Sequence, residues 1–272
     1  MSPKPFYRKP KAPPKGKKRP RKQRAPYAKP RIDPGLSAIF QEIGTPDHEP
    51  FTPDPFQTEA VDLLQVSDAL VTAPTGAGKT WIAFQAIHTY HAQNLRTWYA
   101  SPLKALSNSI YQQFIQQFGA DQCGILTGDR KENADAPIIV GTTEILRNQL
   151  YDAMHRGVSM HTDLVVLDEA HYLSDPERGV VWEEVLIYLP SRIRLLLLSA
   201  TISNEEEVCA WLESIRHTPI GVVRSKDRPV PLKSLFLFPS GLITPLSHKS
   251  GLHPKIKRFL KSPKGKRARP EK

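Results

Sequence analysis

The sequence predicts an α/β fold, a parallel sheet with helices on both faces, flanked by basic tails. Three observations predict it. Short apolar runs alternate with amphipathic stretches of helical length from about residue 56 to residue 224. Two of those runs, Ala69-Leu70-Val71 and Leu164-Val165-Val166-Leu167, are continuously apolar, as strands covered on both faces must be. Each run ends in residues that carry chemistry rather than in an ordinary turn, the pattern of an open sheet that binds ligands at the C-terminal ends of its strands.

In chain order, Phe56 to Gln65 reads as a helix with Phe56, Ala60, Val61 and Leu64 on one side. Strands are expected near 69–73, 97–101, 123–126, 137–141, 163–168, 194–199 and 219–224. Helices are expected near 79–92, 103–118, 143–155, 180–189 and 204–214. Ser203 and Glu206 have capping-box spacing for the last helix. One more strand is expected from Leu232 to Phe238, then a poorly patterned basic tail. The domain expectation is a Pro-rich tail and linker over 1–50, a folded body over 51–240 and a tail over 241–272.

Charge divides the chain the same way. Residues 1–31 hold 13 Lys/Arg and no acid, and residues 253–272 hold nine Lys/Arg and one Glu. The stretch between holds 16 Lys/Arg against 26 Asp/Glu, so the body is acidic although the chain carries +11. The first tail has eight prolines, Pro3 to Pro30, and cannot bury enough apolar surface to fold alone. With Phe6, Tyr7 and Tyr27 among its cations it suits nucleic-acid backbones and bases; a solubilising linker is the other reading. No run approaches the roughly 18 apolar residues of a membrane span, and no apolar segment follows the basic N-terminus, so neither a membrane nor a secretory signal is expected. Cys123 and Cys209 have no metal-ligand spacing, which makes a reducing cytoplasm the expected setting.

The run Ala73-Pro74-Thr75-Gly76-Ala77-Gly78-Lys79-Thr80 lies between a strand and a helix. Small residues let backbone N–H groups approach phosphate oxygens, and a helix N-terminus favours negative charge. Lys79 can reach β- and γ-phosphates and Thr80 can ligate Mg²⁺. A Gly-rich strand-to-helix turn without a ligand would not need Lys79 and Thr80 directly after Gly78. The second apolar run ends in Asp168-Glu169-Ala170-His171. There Asp168 can hold Mg²⁺, directly or through water, and Glu169 can take a proton from an attacking water. A solvated acidic turn is the bland alternative, weakened by the phosphate loop about ninety residues upstream.

With both motifs placed, the chain resembles superfamily 2 helicases of the DEAD/DEAH-box kind from about Phe51 to about Phe238. The variant loop Ala-x-Thr-Gly-x-Gly-Lys-Thr looks like theirs. The stretch from Asp168 through Pro176-Glu177-Arg178-Gly179 to Glu184 looks like the superkiller-type, exosome-associated RNA helicases. The resemblance implies a RecA-like phosphate-loop domain that uses ATP and Mg²⁺ and acts on single-stranded nucleic acid, RNA in preference to DNA. It implies an adenine-recognising role for Gln57. It also implies a nucleic-acid track through Ser101-Pro102-Leu103-Lys104, Thr127-Gly128-Asp129-Arg130 and Thr142-Thr143-Glu144-Ile145-Leu146-Arg147, carried by Pro102, Lys104, Arg130, Thr142, Thr143 and Arg147. Hydroxyls, amides and cations at strand ends suit phosphates, although Thr142 or Thr143 with Glu144 would also make a plain helix start. Ser199-Ala200-Thr201 resembles the motif that couples hydrolysis to strand binding, with Ser199 and Thr201 reaching the loop that ends at His171. Arg178 matches the family without a role derivable locally.

Family helicases have two such lobes, and the second supplies an arginine finger. No Gln-x-x-Gly-Arg-x-Gly-Arg pattern occurs here, so the expectation is a first lobe only, with weak hydrolysis: a truncated product, one half of a split gene or a fragment, a separate chain being one source of the second lobe. Two other readings stay open: a noncatalytic module that holds nucleotide and binds nucleic acid or a partner, and a fragment of a DNA repair helicase.

Overall fold

The computed structural model describes residues 31–33, 36, 51–200, 202, 204–228, 232–248 and 251–262. The N-terminal basic tail up to residue 30, Thr201, Ser203 and the last ten residues lie outside that set, and with them the tail readings and the Ser203 cap. Two compact units emerge: His48–Pro231, and a smaller one made of Leu232–Lys272 with Met1–Asp47.

The larger unit is an eight-stranded sheet. Its strands are β2 (Asp68–Thr72), β3 (Thr97–Ser101), β4 (Cys123–Leu126), β5 (Lys131–Glu132), β6 (Ile138–Thr142), β7 (Leu164–Asp168), β8 (Arg194–Ser199) and β9 (Ile220–Arg224). The spatial order is β5-β4-β6-β3-β7-β8-β2-β9, parallel throughout except for the β4–β5 edge pair. The helices are α1 (Pro55–Leu63), α2 (Lys79–Ala92), α3 (Lys104–Phe118), α4 (Thr143–Arg156), α5 (Gly179–Tyr188) and α6 (Glu205–Arg216), with a 3-10 turn at Ala170–Ser174. Every residue of β2, β3, β4 and β6 is buried, so their apolar runs had to be continuous.

The two-residue period of a strand sorts these runs into two cores. Ala69, Val71, Tyr99, Val140, Val166, Leu196 and Leu198 face one way, against Ala60 of α1, Ile82, Ala83 and Ala86 of α2, and Phe114 of α3. Leu70, Trp98, Ile139, Val165, Leu167, Leu195 and Leu197 face the other, against Leu146 and Leu150 of α4, Trp182 and Val185 of α5, and Leu212 of α6. Gly124 and Gly141 sit where backbone or ring atoms press close. A Cβ on Gly124 would stand 2.1 Å from the Asn133 carbonyl oxygen.

A buried ion pair ties the N-terminal ends of the strands. Asp68 of β2 accepts from Arg216 Nε at 2.8 Å and from the Leu195 amide at 3.0 Å, and Arg216 donates to the Leu189 and Ile193 carbonyls at 3.0 and 2.7 Å.

In the smaller unit β1 (Arg31–Ile32) and β10 (Leu235–Leu237) flank β11 (Leu242–Pro245), and β12 (Ser247–His248) pairs with β13 (Gly251–Leu252) ahead of α7 (Pro254–Lys261). This unit starts at Leu232, and within the span expected as tail Leu242–Pro245, Ser247–His248 and Gly251–Leu252 are short strands and Pro254–Lys261 is a helix. Pro254 starts α7, and Ile256 and Phe259 form its inner face with Phe236 and Phe238.

Candidate functional site

All the candidate side chains the structure describes lie at or just past the C-terminal ends of strands, or on the helix that follows each, apart from Gln57. The phosphate loop follows β2, Asp168 ends β7, and Ser199 ends β8 between them. On the other half of the sheet, Pro102 and Lys104 follow β3, Arg130 follows β4, and Thr142, Thr143 and Arg147 end β6 or lie in α4. The strand order thus sets a nucleotide-type half beside a track half, meeting at the β3–β7 pair.

The loop takes its shape from Gly76 and Gly78, at φ +90° and +80°, a region open to glycine. Gly78 has a second reason to lack a side chain, because a Cβ there would stand 2.2 Å from Gln57 Nε2. Gln57 is buried at 2 % exposure; its Nε2 donates to the Ala77 and Gly78 carbonyls at 3.1 and 3.2 Å, and its Oε1 accepts the Asp54 amide at 2.8 Å. The Gln57 amide thus holds the loop and the start of α1, and both donor hydrogens are committed. The Ala73 amide donates to the Ser199 carbonyl at 3.1 Å.

Lys79 Nζ folds back onto its own loop and donates to the Ala73 and Pro74 carbonyls at 2.7 and 3.1 Å. Burial lowers its pKa, against an opposing pull from Glu169 and Asp168. Those charges therefore act across the gap on the same ammonium. Thr80 is half-buried in the first turn of α2, where helix amides have no intrahelical partner.

Asp168 accepts from the Tyr99 hydroxyl at Oδ2 and from the Glu169 amide at Oδ1, 2.9 Å. Burial raises its pKa, and the Tyr99 hydrogen bond is the largest opposing influence. Glu169 stands at φ +60° and ψ +44°, a left-handed backbone that a non-glycine residue adopts at a cost of about 1 kcal/mol or more. That turn swings its carboxylate out of the strand line, with Oε2 3.3 Å from His171 Nδ1. The segment beyond is pinned by Asp175, which accepts the Glu177 and Arg178 amides at 2.9 Å, and the Arg178 guanidinium stacks on Tyr172 at 5.6 Å. Ser199 Oγ is fully buried without a hydrogen-bond partner. It does not reach the loop ending at His171, so that expected bond is not made.

On the track half the three candidate cations each have an acid or amide against them. Lys104 Nζ is 3.1 Å from Asp129 Oδ1. Arg130 grips Glu132 with Nε and Nη2 at 2.6 and 2.8 Å, donates to Asn108 and lies 5.0 Å from the Tyr111 ring. Arg147 meets Glu184 of α5 at 3.3 Å, where Tyr151 also donates. Thr142 is the residue before α4 but caps nothing with its hydroxyl, and the Thr143 hydroxyl is buried without a partner. Pro102 is buried rather than offered to a ligand. Sequence reasoning missed Tyr99, Glu132, Asp129 and Glu184 as partners of site residues. Tyr99 lay two positions before Ser101 in a run already read as a strand.

A RecA-like helicase domain is the class that this fold and this layout of strand-end residues define. The family model for DEAD/DEAH box helicase matches residues 54–208, and the chain belongs to that family. Its relatives include the chloroplastic DExH-box ATP-dependent RNA helicase DExH15 of Arabidopsis thaliana, 44 % identical over 208 residues (75 % of this chain, 18 % of that protein). The antiviral helicase SKI2 of Saccharomyces cerevisiae is 44 % identical over 187 residues, covering 68 % of this chain and 14 % of that one. The resemblance to superkiller-type helicases holds. The chain spans about a fifth or less of the length of these relatives. Among solved structures, that of the DUF1998 helicase MrfA bound to DNA aligns with a TM-score of 0.51 at 21 % identity, over 75 % of this chain and 31 % of that one, and shares the fold.

Proposed function

We propose that this chain is the nucleotide-binding lobe of an ATP-dependent RNA helicase, binding ATP with Mg²⁺ and single-stranded RNA. The observation that carries it is the convergence of the phosphate loop, Lys79, Asp168 and Glu169 at the ends of β2 and β7, close enough for both carboxylates to act on the Lys79 ammonium. The two positive-φ glycines supply a cradle, and an ammonium parked on two loop carbonyls is a cation ready to exchange them for phosphate oxygens. Asp168 keeps lone pairs on both oxygens after its two protein donors.

In this reading the amides of residues 75–80 and Lys79 hold the phosphates. Thr80 and Asp168 hold the cation. Mg²⁺, when bound, neutralises phosphate charge and fixes the terminal phosphate. Glu169, swung out by its left-handed backbone, orients a water and takes its proton, with His171 beside it. Gln57 acts through the loop it supports, and reading an adenine edge requires it to release a carbonyl first. Ser199 couples through its carbonyl on Ala73. Lys104, Arg130 and Arg147 bind the RNA backbone after exchanging acid partners for phosphates, with Thr142 and Thr143 beside them where β6 runs into α4. The acidic partners keep that track weak until the strand competes. RNA is favoured over DNA by the relatives' names and by the stretch from Asp168 to Glu184.

An arginine finger is worth about 10³ to 10⁵ in rate in related enzymes. A second lobe carrying such a group is therefore the proposed partner, and hydrolysis by this lobe without it is slow. A cytoplasmic setting is proposed with it; no helix among the described residues is long and apolar enough to cross a membrane. The test is steady-state ATPase with and without single-stranded RNA or DNA, beside Glu169→Gln. RNA-stimulated turnover lost in the variant supports a working enzyme. Nucleotide binding that needs Lys79 but yields no turnover supports the noncatalytic module, for which deletion of residues 1–31 should remove most RNA affinity.

A further inference from the structure

We propose that Tyr99 is a positioning residue for the cation: its hydroxyl orients the Asp168 carboxylate that receives Mg²⁺. The proposal rests on the nucleotide-site reading above. Four observations carry it. Tyr99 lies in β3, fully buried, in register with Val166 of the neighbouring β7, two residues before Asp168. Its ring is fixed edge-on against Phe114, with centroids 5.6 Å apart at 83°. Its hydroxyl donates to Asp168 Oδ2, while Oδ1 receives the Glu169 amide. The carboxylate is therefore clamped at both oxygens by donors that cannot rotate away, one from the strand beside it and one from the residue after it.

A phenol suits this place better than most donors. It contributes no charge that would repel a cation. Partners that orient metal-holding groups in this way typically change metal affinity by about 10- to 100-fold when removed. Tyr99 also lies in the strand whose end opens into Pro102 and Lys104, so one strand serves both halves of the site.

The test is binding of the fluorescent nucleotide N-methylanthraniloyl-ATP to the full chain in EDTA and across a Mg²⁺ titration, for wild type, Tyr99→Phe and Phe114→Leu. Tyr99→Phe keeps the ring and removes only the hydroxyl, and thermal melting verifies that it folds. The expected result is unchanged affinity in EDTA, a Mg²⁺ midpoint raised about tenfold or more, and recovery of wild-type affinity at saturating Mg²⁺. Phe114→Leu disturbs the same packing but leaves the hydroxyl, so it should lower the melting temperature without moving the midpoint. An unchanged midpoint in Tyr99→Phe overturns the proposal. So does an equal loss of affinity with and without Mg²⁺, or a midpoint moved as far by Phe114→Leu. If wild type binds no nucleotide, or binds it equally well with Lys79→Ala, the nucleotide-site reading itself has failed.

Discussion

Replacing Arg216 with Met should destabilise the larger unit by about 4 kcal/mol. Asp68 and Arg216 side chains are each 2 % exposed, so neither can turn to water. Met fills most of the volume but removes the Nε donor at 2.8 Å, and it leaves the Leu189 and Ile193 carbonyls without their donors. Asp68 then keeps the Leu195 amide, a weak bond from Thr218 at 3.3 Å and a distant Arg194 at 3.7 Å. Breaking a buried pair from one side costs about 3–5 kcal/mol, and the carbonyls keep the value from falling to the low end. For a unit of this size each kcal/mol moves the melting temperature by about 2–4 °C, so a drop of about 8–16 °C is expected by calorimetry. Asp68→Leu with Arg216→Met should cost less than the sum of the single changes by about 2 kcal/mol in urea unfolding. The pair sits at the strand ends opposite the phosphate loop, so nucleotide affinity at low temperature should not change. A melting point within about 2 °C of wild type, or strict additivity in the cycle, would refute the reasoning.

Three further outcomes are expected. Glu184→Gln should free Arg147 and raise single-stranded RNA affinity a few-fold, with the log–log salt slope steeper by up to about one; fluorescence anisotropy across a salt series checks it. Gly78→Ala should abolish nucleotide binding and cost about 1–3 kcal/mol, from its positive φ and the 2.2 Å approach to Gln57, and Gln57→Ala in the same chain should restore part of the stability but not all. Burial pushes the Cys123 and Cys209 thiols up to about 11. Iodoacetamide at pH 8 should therefore label native protein on the order of a hundred-fold more slowly than urea-unfolded protein, whose thiols titrate near 8.5, and mass spectrometry reads the ratio.

The parts of this chain that were legible in its sequence are those that satisfy a local rule. The seven parallel strands fall within a residue of expectation because six of them are apolar runs buried almost throughout, and the seventh, the edge strand β9, still keeps Ile220 and Val223 inside. The positions of the phosphate loop, Asp168 and Glu169 followed because each closes such a run. What escaped depends on residues far apart in sequence. Asp68 and Arg216 are 148 positions apart, and a charged residue at the head of an apolar strand reads as solvated until its partner is known. Glu184 is 37 positions from the arginine it holds. Gln57 was read as facing a base, and only the fold shows that the loop itself takes up its amide. The helix Pro254–Lys261 did carry an i, i+3 apolar signal in Ile256 and Phe259, but the density of lysine around it favoured a tail.

The hydrogen bond from the Ala73 amide to the Ser199 carbonyl gives this site a built-in gauge. That single proton sits where the phosphate loop leaves β2, and its acceptor belongs to the last residue of β8. Any opening of the loop that separates the two strand ends must expose it to solvent, whereas a change confined to the loop tip leaves it protected. Its rate of exchange for deuterium thus reports on the seam between loop and sheet alone. Followed with nucleotide and with RNA added in turn, one amide would register whether the two ligands tighten the same joint.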